Sequence, residues 1–169
     1  SDRGGVRGFN IVKKFTDDLN VLGRNEGATL IMVLIAAFKI RLQRYSGQTD
    51  ICVGIPIANR AQHEVNDLIG FFVNTLALRS DVNVDESFKE FLQKVKVTTM
   101  EAYDHQDVPF EKVVEALVNE RDLSRSPLFQ VGFVLQNTPD VPRLTLGNLS
   151  LSAESYQQTT AKFDFNFSI

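Results

Sequence analysis

The stretch from Thr29 to Gly47 constrains the fold more than any other part of the chain. Leu30, Val33, Leu34, Ala37, Phe38, Leu42 and Tyr45 recur at helical spacing, and Ile31, Met32 and Ile35 widen that stripe until it covers most of the helix surface. Such a helix has to be buried on several sides. Its longest apolar run, Leu30 to Phe38, is closed by Lys39 and falls well short of the roughly 20 residues that a membrane span requires. Ser46-Gly47 stops the helix, and a strand follows at once. In it Ile51, Val53, Ile55 and Ile57 point one way while Cys52 and Gly54 point the other, so both faces are apolar, as in an interior strand. Pro56 cannot donate to a ladder, so the strand is expected to leave the sheet just before Asn59-Arg60.

The remaining elements supply partners for this pair. Phe9, Ile11 and Lys13 alternate with Asn10, Val12 and Lys14, which predicts a first strand. Thr16, Asp17 and Asp18 offer cap chemistry for a short helix that Gly23 should end. A second apolar strand is expected from Phe71 to Leu78. Ser87 with Glu90 has capping-box spacing before an amphipathic helix to Tyr103, with Phe88, Phe91, Leu92, Val95, Thr99 and Ala102 on one face. A shorter helix starts at Pro109, where Asp107 is placed to cap it and Phe110, Val113, Val114 and Leu117 face inward. A strand through Phe129, Val131, Phe133 and Leu135, a hairpin around Gly147-Asn148, and a strictly alternating segment from Phe163 to Ile169 complete the chain. The class is α/β (α+β), with a mixed sheet covered by helices. That the chain stops on a core-facing residue of a strand fits a fold that simply ends there or, as the sharper expectation, a larger domain that has been cut.

Composition narrows the function. A net charge of −3 and a pI of about 5.4 disfavour a general nucleic-acid or anionic-membrane binder. One cysteine, Cys52, excludes an internal disulfide framework and a cysteine-cluster metal site, and fits a reducing, cytoplasmic setting. Two histidines, His63 and His105, without HxxxH or HExxH pairing, argue against a zinc enzyme. There is no GxSxG elbow, phosphate loop or GxGxxG. His105, flanked by Asp104 and Asp107, could serve as a base, but a histidine in a helix-to-helix turn more often fixes the turn. Arg60, at a strand end, reads equally as a carboxylate clamp or a loop-fixing arginine. Arg121, Asp122 and Arg125 form a local turn-holding set. Asn74 and Thr75 interrupt an apolar strand and need partners if buried, either a ligand or a neighbouring backbone.

Three stretches carry a resemblance. Ile69-Gly70-Phe71-Phe72-Val73-Asn74-Thr75-Leu76-Ala77-Leu78-Arg79, then His105-Gln106-Asp107-Val108-Pro109-Phe110-Glu111, then Arg121 to Phe129 resemble, in order and spacing, motifs of condensation domains of nonribosomal peptide synthetases. Val53 to Arg60 and Ala161 to Asp164 are similar to two further segments of that family. The resemblance covers essentially the whole chain, and its IGFFVNT form is similar to amide-forming members. It implies two lobes, each like chloramphenicol acetyltransferase, with a tunnel between them. Donor and acceptor substrates would arrive there on the phosphopantetheine arms of carrier proteins, with no cofactor bound directly. The family's catalytic histidine lies in an HHxxxDG motif of the first lobe, which this sequence does not contain.

The chain therefore resembles the second lobe alone, residues 1–169, truncated at both ends, with no catalytic residue and no metal site of its own. Its implied partners are the N-terminal lobe, the donor and acceptor carrier proteins and an adjacent adenylation domain. Arg60 matches an arginine that pairs with the motif's aspartate across the lobes. Ile55, Phe72, Asn74 and Thr75 match tunnel positions. His105, Asp107, Arg121, Asp122 and Arg125 match structural ones. Ile55 and Asn59 depart from the family, which often has a small hydroxyl residue and a glycine there. The loop after Thr138, with Pro139 and Pro142, is expected to be mobile without its opposite lobe. Two other readings stand beside this: a carrier-binding lobe without chemistry, and a stand-alone oligomeric acyltransferase using His105.

Overall fold

The computed structural model describes residues 3–59, 68–120, 122, 124–136, 145–146, 149–150 and 160–169. Four strands form one sheet: β1 (Asp50–Ile57), β2 (Asn74–Asp81), β3 (Val131–Val134) and β6 (Phe165–Ser168), in the order β2-β1-β3-β6. β1 pairs antiparallel with β2, from Asp50 opposite Asp81 to Ile57 opposite Asn74. It pairs parallel with β3 at Gly54 and Gly132, and β3 pairs parallel with β6. The sheet is mixed, and β1 is interior as its two apolar faces require. Pro56 stays in the strand, exposed and opposite Thr75. A separate two-stranded ribbon, β4 (Thr145–Leu146) and β5 (Leu149–Ser150), bears out the expected hairpin.

One face of the sheet carries the helices α1 (Lys13–Asn25), α2 (Leu30–Ser46) and α3 (Phe88–Asp104). Val33, Ile35 and Ala36 of α2 and Leu92 of α3 are fully buried against Val53, Ile55, Leu78 and Phe133. Phe38 adds an aromatic end to this core, its ring 5.5 Å from Phe133 and 5.3 Å from Phe167. Gly47 ends α2 with φ 71°, in the left-handed region that glycine enters at no steric cost, and its N–H reaches Gln43 O at 2.8 Å. Ser87 and Glu90 form the expected capping box: Glu90 N–H donates to Ser87 Oγ, and Ser87 N–H donates to Glu90 Oε2 at 2.9 Å.

The helix α2 is rotated from the stripe read in the sequence. Ala37 is exposed, Tyr45 stands in solvent beneath the Arg41 guanidinium, and Lys39 is fully buried. Lys39 lies under the sheet because its stem packs as an apolar chain and its Nζ reaches Ser80 Oγ on β2 at 2.6 Å. Two N-terminal expectations fail. No strand forms at 9–14; instead α1 begins at Lys13 after Val12. Gly23 does not end it. Gly23 is buried inside α1, where a Cβ would lie 2.8 Å from Ala28 O, so it is a packing glycine and the chain turns at Gly27 (φ 61°). Of the short helix α4 (Phe110–Leu117), Val114 is buried but Leu117 is exposed rather than inward-facing.

The other face of the sheet is built differently. Gly54 leaves room for Phe129, whose ring carbons would be 2.2 Å from a Cβ on that glycine. Phe129 in turn sits 5.5 Å from Phe110 and 5.4 Å from Phe163. Among the described residues, no single helix is long and apolar enough to cross a membrane.

Candidate functional site

Two of the motif stretches, 69–79 and 105–111, meet at the end of the sheet where β1 leaves and β2 begins. The segment before β2 is not the strand that its apolar composition predicts. Ile69 and Phe71 are 105% and 91% exposed, and pairing to β1 starts only at Asn74. Leu68 and Val73 are exposed as well. Residues that would extend a strand thus form an apolar surface beside it.

Asn74 closes that segment. Its side chain points to the helix-bearing side, the side of Leu76 and Leu78, and all of its hydrogen-bonding capacity is used. Nδ2 donates to Gln106 O and to Val108 O, both at 2.8 Å. Oδ1 accepts from Thr75 N–H at 2.8 Å and from Phe110 N–H at 3.0 Å. The second of these caps α4. Pro109, the residue before the helix, has no side chain that can accept, so the cap comes from a residue 36 positions away in sequence. Asp107, expected to provide it, is exposed, and its side chain does not cap the helix. Of the two partners left open for Asn74, the structure shows a neighbouring backbone.

The turn that Asn74 holds contains His105. This residue follows α3, its carbonyl accepts from Val108 N–H at 3.1 Å, and its side chain is exposed. Thr75 points to the opposite side, across from Pro56. Phe72 is half-buried next to Phe71. The structure therefore brings Phe72, Asn74, Thr75, His105 and Asp107 to one end of the sheet. Ile55 is not among them: at 1% exposure it lies in the core beneath the helices. Cys52 is half-buried, and burial pushes its thiol up.

Asp122 and Arg125 stand apart from this cluster. Asp122 accepts from Ser124 N–H and Oγ–H and from Arg125 Nε at 2.8 Å; the Ser124 bonds, then the guanidinium, hold its carboxyl below the usual range. This turn leads to Pro127, where Phe129 N–H reaches Pro127 O at 2.8 Å around Leu128, held at φ 67°. A tight turn of that hand is rare and strained for a branched side chain, and it lays Phe129 on Gly54. Arg60, Arg121, His63 and the loop after Thr138 lie outside the described residues. The strand leading to Arg60 ends at Asn59, with φ 48°, a conformation that glycine or asparagine adopts most readily.

Comparison with known proteins places this arrangement. The family model "Condensation domain" matches residues 4–169. The chain belongs to the condensation-domain family. Its curated relatives are nonribosomal peptide synthetases. It is 46% identical over 164 residues to tyrocidine synthase 3 of Brevibacillus parabrevis, covering 97% of this chain and 2% of that synthase. It is 44% identical over 161 residues to gramicidin S synthase 2 of Brevibacillus brevis, covering 95% of this chain and 4% of that synthase. Among solved structures it resembles a four-domain nonribosomal peptide synthetase (TM-score 0.75, 27% identity, 78% of this chain and 10% of that one). It also resembles the condensation domain from Monacolin K polyketide synthase (TM-score 0.71, 27% identity, 78% and 31%). The condensation-domain chain thus spans only a few per cent of the length of the curated relatives it matches.

Proposed function

We propose that this chain is the second lobe of an amide-forming condensation domain and is inactive by itself. In that reaction an acceptor aminoacyl thioester attacks a donor acyl or peptidyl thioester, both tethered to carrier proteins by phosphopantetheine arms. The amine nitrogen forms the C–N bond, the donor C–S bond breaks, and the donor arm leaves as a free thiol. Base chemistry belongs to the HHxxxDG motif of the first lobe, and this lobe supplies the opposite wall of the substrate path. The observation that carries the reading is the set of exposed apolar side chains Ile69, Phe71 and Val73 at the sheet end, next to the motif turn 105–109. A surface of that kind calls for a partner.

Phe72, Asn74 and Thr75 fall where such a path would run, whereas Ile55 would act on it only through packing. Arg60 would pair with the first lobe's aspartate. Carrier proteins and an adenylation domain are the partners this reading requires. The test mixes this chain with a first lobe that carries HHxxxDG and with two loaded carrier proteins. Amide product is expected from the pair and from neither lobe alone. Arg60→Ala should lower the rate about tenfold to a hundredfold, as loss of charge-assisted hydrogen bonds does, while the melting temperature of the chain stays unchanged. Carrier binding by this chain without product from the pair would show a docking lobe instead. Product from this chain alone, lost in His105→Ala, would show an independent acyltransferase.

A further inference from the structure

From its four hydrogen bonds, we infer that Asn74 is a positioning residue: it locks the exposed 69–73 segment and the 105–109 turn into one body, so that the two meet a substrate in a fixed mutual geometry. The inference deepens the proposed function and rests on it for its consequence in catalysis, but its structural half stands on this chain alone.

The turn between α3 and α4 is short, and its internal bonds are few: Gln106 N–H to Tyr103 O and Val108 N–H to His105 O, both at 3.1 Å. The carbonyls of Gln106 and Val108 and the N–H of Phe110 are left over. All three go to one carboxamide, two as acceptors and one as donor. No other residue type of that size presents two donors and an acceptor in this fork. Aspartate could still accept from Phe110 N–H but would face two carbonyls with no proton to share. Serine would be too short to reach both sides.

Asn74 is also the first residue of β2, fixed to β1 opposite Ile57. The rigid sheet therefore sets the position of the turn, and the same residue sets where the apolar segment leaves the sheet. His105, Asp107 and Val108, all exposed on the turn, and Ile69 and Phe71, exposed on the segment, share one anchor. Such an anchor matters for rate, because small displacements of substrate-facing groups are costly.

The test uses Asn74→Asp and Asn74→Ala, each read twice. Amide hydrogen exchange on this chain comes first. In Asn74→Ala, protection of Phe110 N–H should fall about tenfold, the size of a lost helix cap. In Asn74→Asp, Phe110 should keep its protection, because the carboxylate still caps. The Val108 amide should lose protection in both variants as the turn loosens. The second reading is condensation by the two-lobe pair with tethered substrates. Asn74→Asp should retain the wild-type melting temperature within a few degrees, yet lose at least tenfold in kcat, with part of that loss recovered at low pH, where the protonated carboxyl regains a donor. Unchanged exchange at Phe110 and Val108 in Asn74→Ala would overturn the anchor. Wild-type kcat in a well-folded Asn74→Asp would overturn the positioning role. A wild-type pair without any turnover would instead count against the proposed function, and the exchange result would still decide the anchor.

Discussion

Residues 69–73 and Asn74–Asp81 are consecutive, and the first stretch is the more apolar of the two, yet it is the second that is taken into the sheet. The second stretch pairs along its whole length with β1 and buries Leu76 and Leu78 under the helices. In the first stretch Ile69 and Phe71 are almost fully exposed and only Phe72 is half-buried. Hydrophobicity alone does not separate them. What separates them is where β1 has run out: Ile57, opposite Asn74, is its last residue, so residues before Asn74 have no ladder to join. An apolar segment that a sheet cannot take up is left for a surface outside the described fold. In the proposed domain that surface is the opposite lobe.

Three perturbations separate the two halves, and they rank by expected effect. Leu78→Ala removes a side chain at zero exposure in the centre of the core. It should cost about 2–5 kcal/mol, as large-to-small core changes do, measured by denaturant unfolding. A result under about 1 kcal/mol would mean that β2 is not a buried element.

The buried Lys39 probes the same strand through Ser80. Desolvation brings its amine down from 10.5 to about 8. Because the folded value is the lower one, the unfolded chain binds more protons between pH 8 and 10.5, and stability rises with pH across that window. The full gain is about 3 kcal/mol. It is absent below pH 8 and complete above 10.5. Lys39→Met should flatten that rise and raise stability at neutral pH, read from unfolding midpoints at about pH 7 and about pH 10. An equal pH dependence in the variant would assign the titration elsewhere.

Phe71→Ser is the smallest perturbation to this chain. Surface substitutions fall within about 0.5 kcal/mol of neutral, so its unfolding midpoint should not move. In the two-lobe pair, however, the same change should weaken association of the lobes. Destabilisation of the isolated chain by Phe71→Ser would break the contrast between the halves.

Much of the fold was legible because its signals are local and periodic. The apolar run from Leu30 and its stop at Gly47, the box at Ser87 and Glu90, the interior strand at 51–57 and the late hairpin all follow from side-chain spacing and turn chemistry within a few residues. The misread elements depended on contacts across the chain. Gly23 has the look of a helix stop, but the approach of Ala28 O makes it a packing residue. Lys39 is a polar letter in an apolar run, and only the distance to Ser80 shows why it can be buried. The alternation at 9–14 pairs with no strand among the described residues, and Phe9 instead stacks on Phe167, 5.7 Å away.

The site was half legible. Its residues were found through the motifs, and the need of Asn74 for a partner was evident from a polar residue in an apolar strand. The identity of that partner was not, because the cap it gives to Phe110 spans 36 residues and displaces the nearer candidate, Asp107. A proline before a helix with no capping side chain of its own was the available hint.

The exposed half of the contrast is where the proposed domain is most directly open to test. Hydrogen exchange of this chain should be measured with and without a first lobe carrying HHxxxDG. The amides of Ile69, Phe71 and Val73 should exchange freely in the chain alone and become protected in the pair, while the β2 amides that bond to β1 are protected in both. Association of the two lobes that leaves Ile69, Phe71 and Val73 exchanging freely would contradict the assignment of this surface to the opposite lobe.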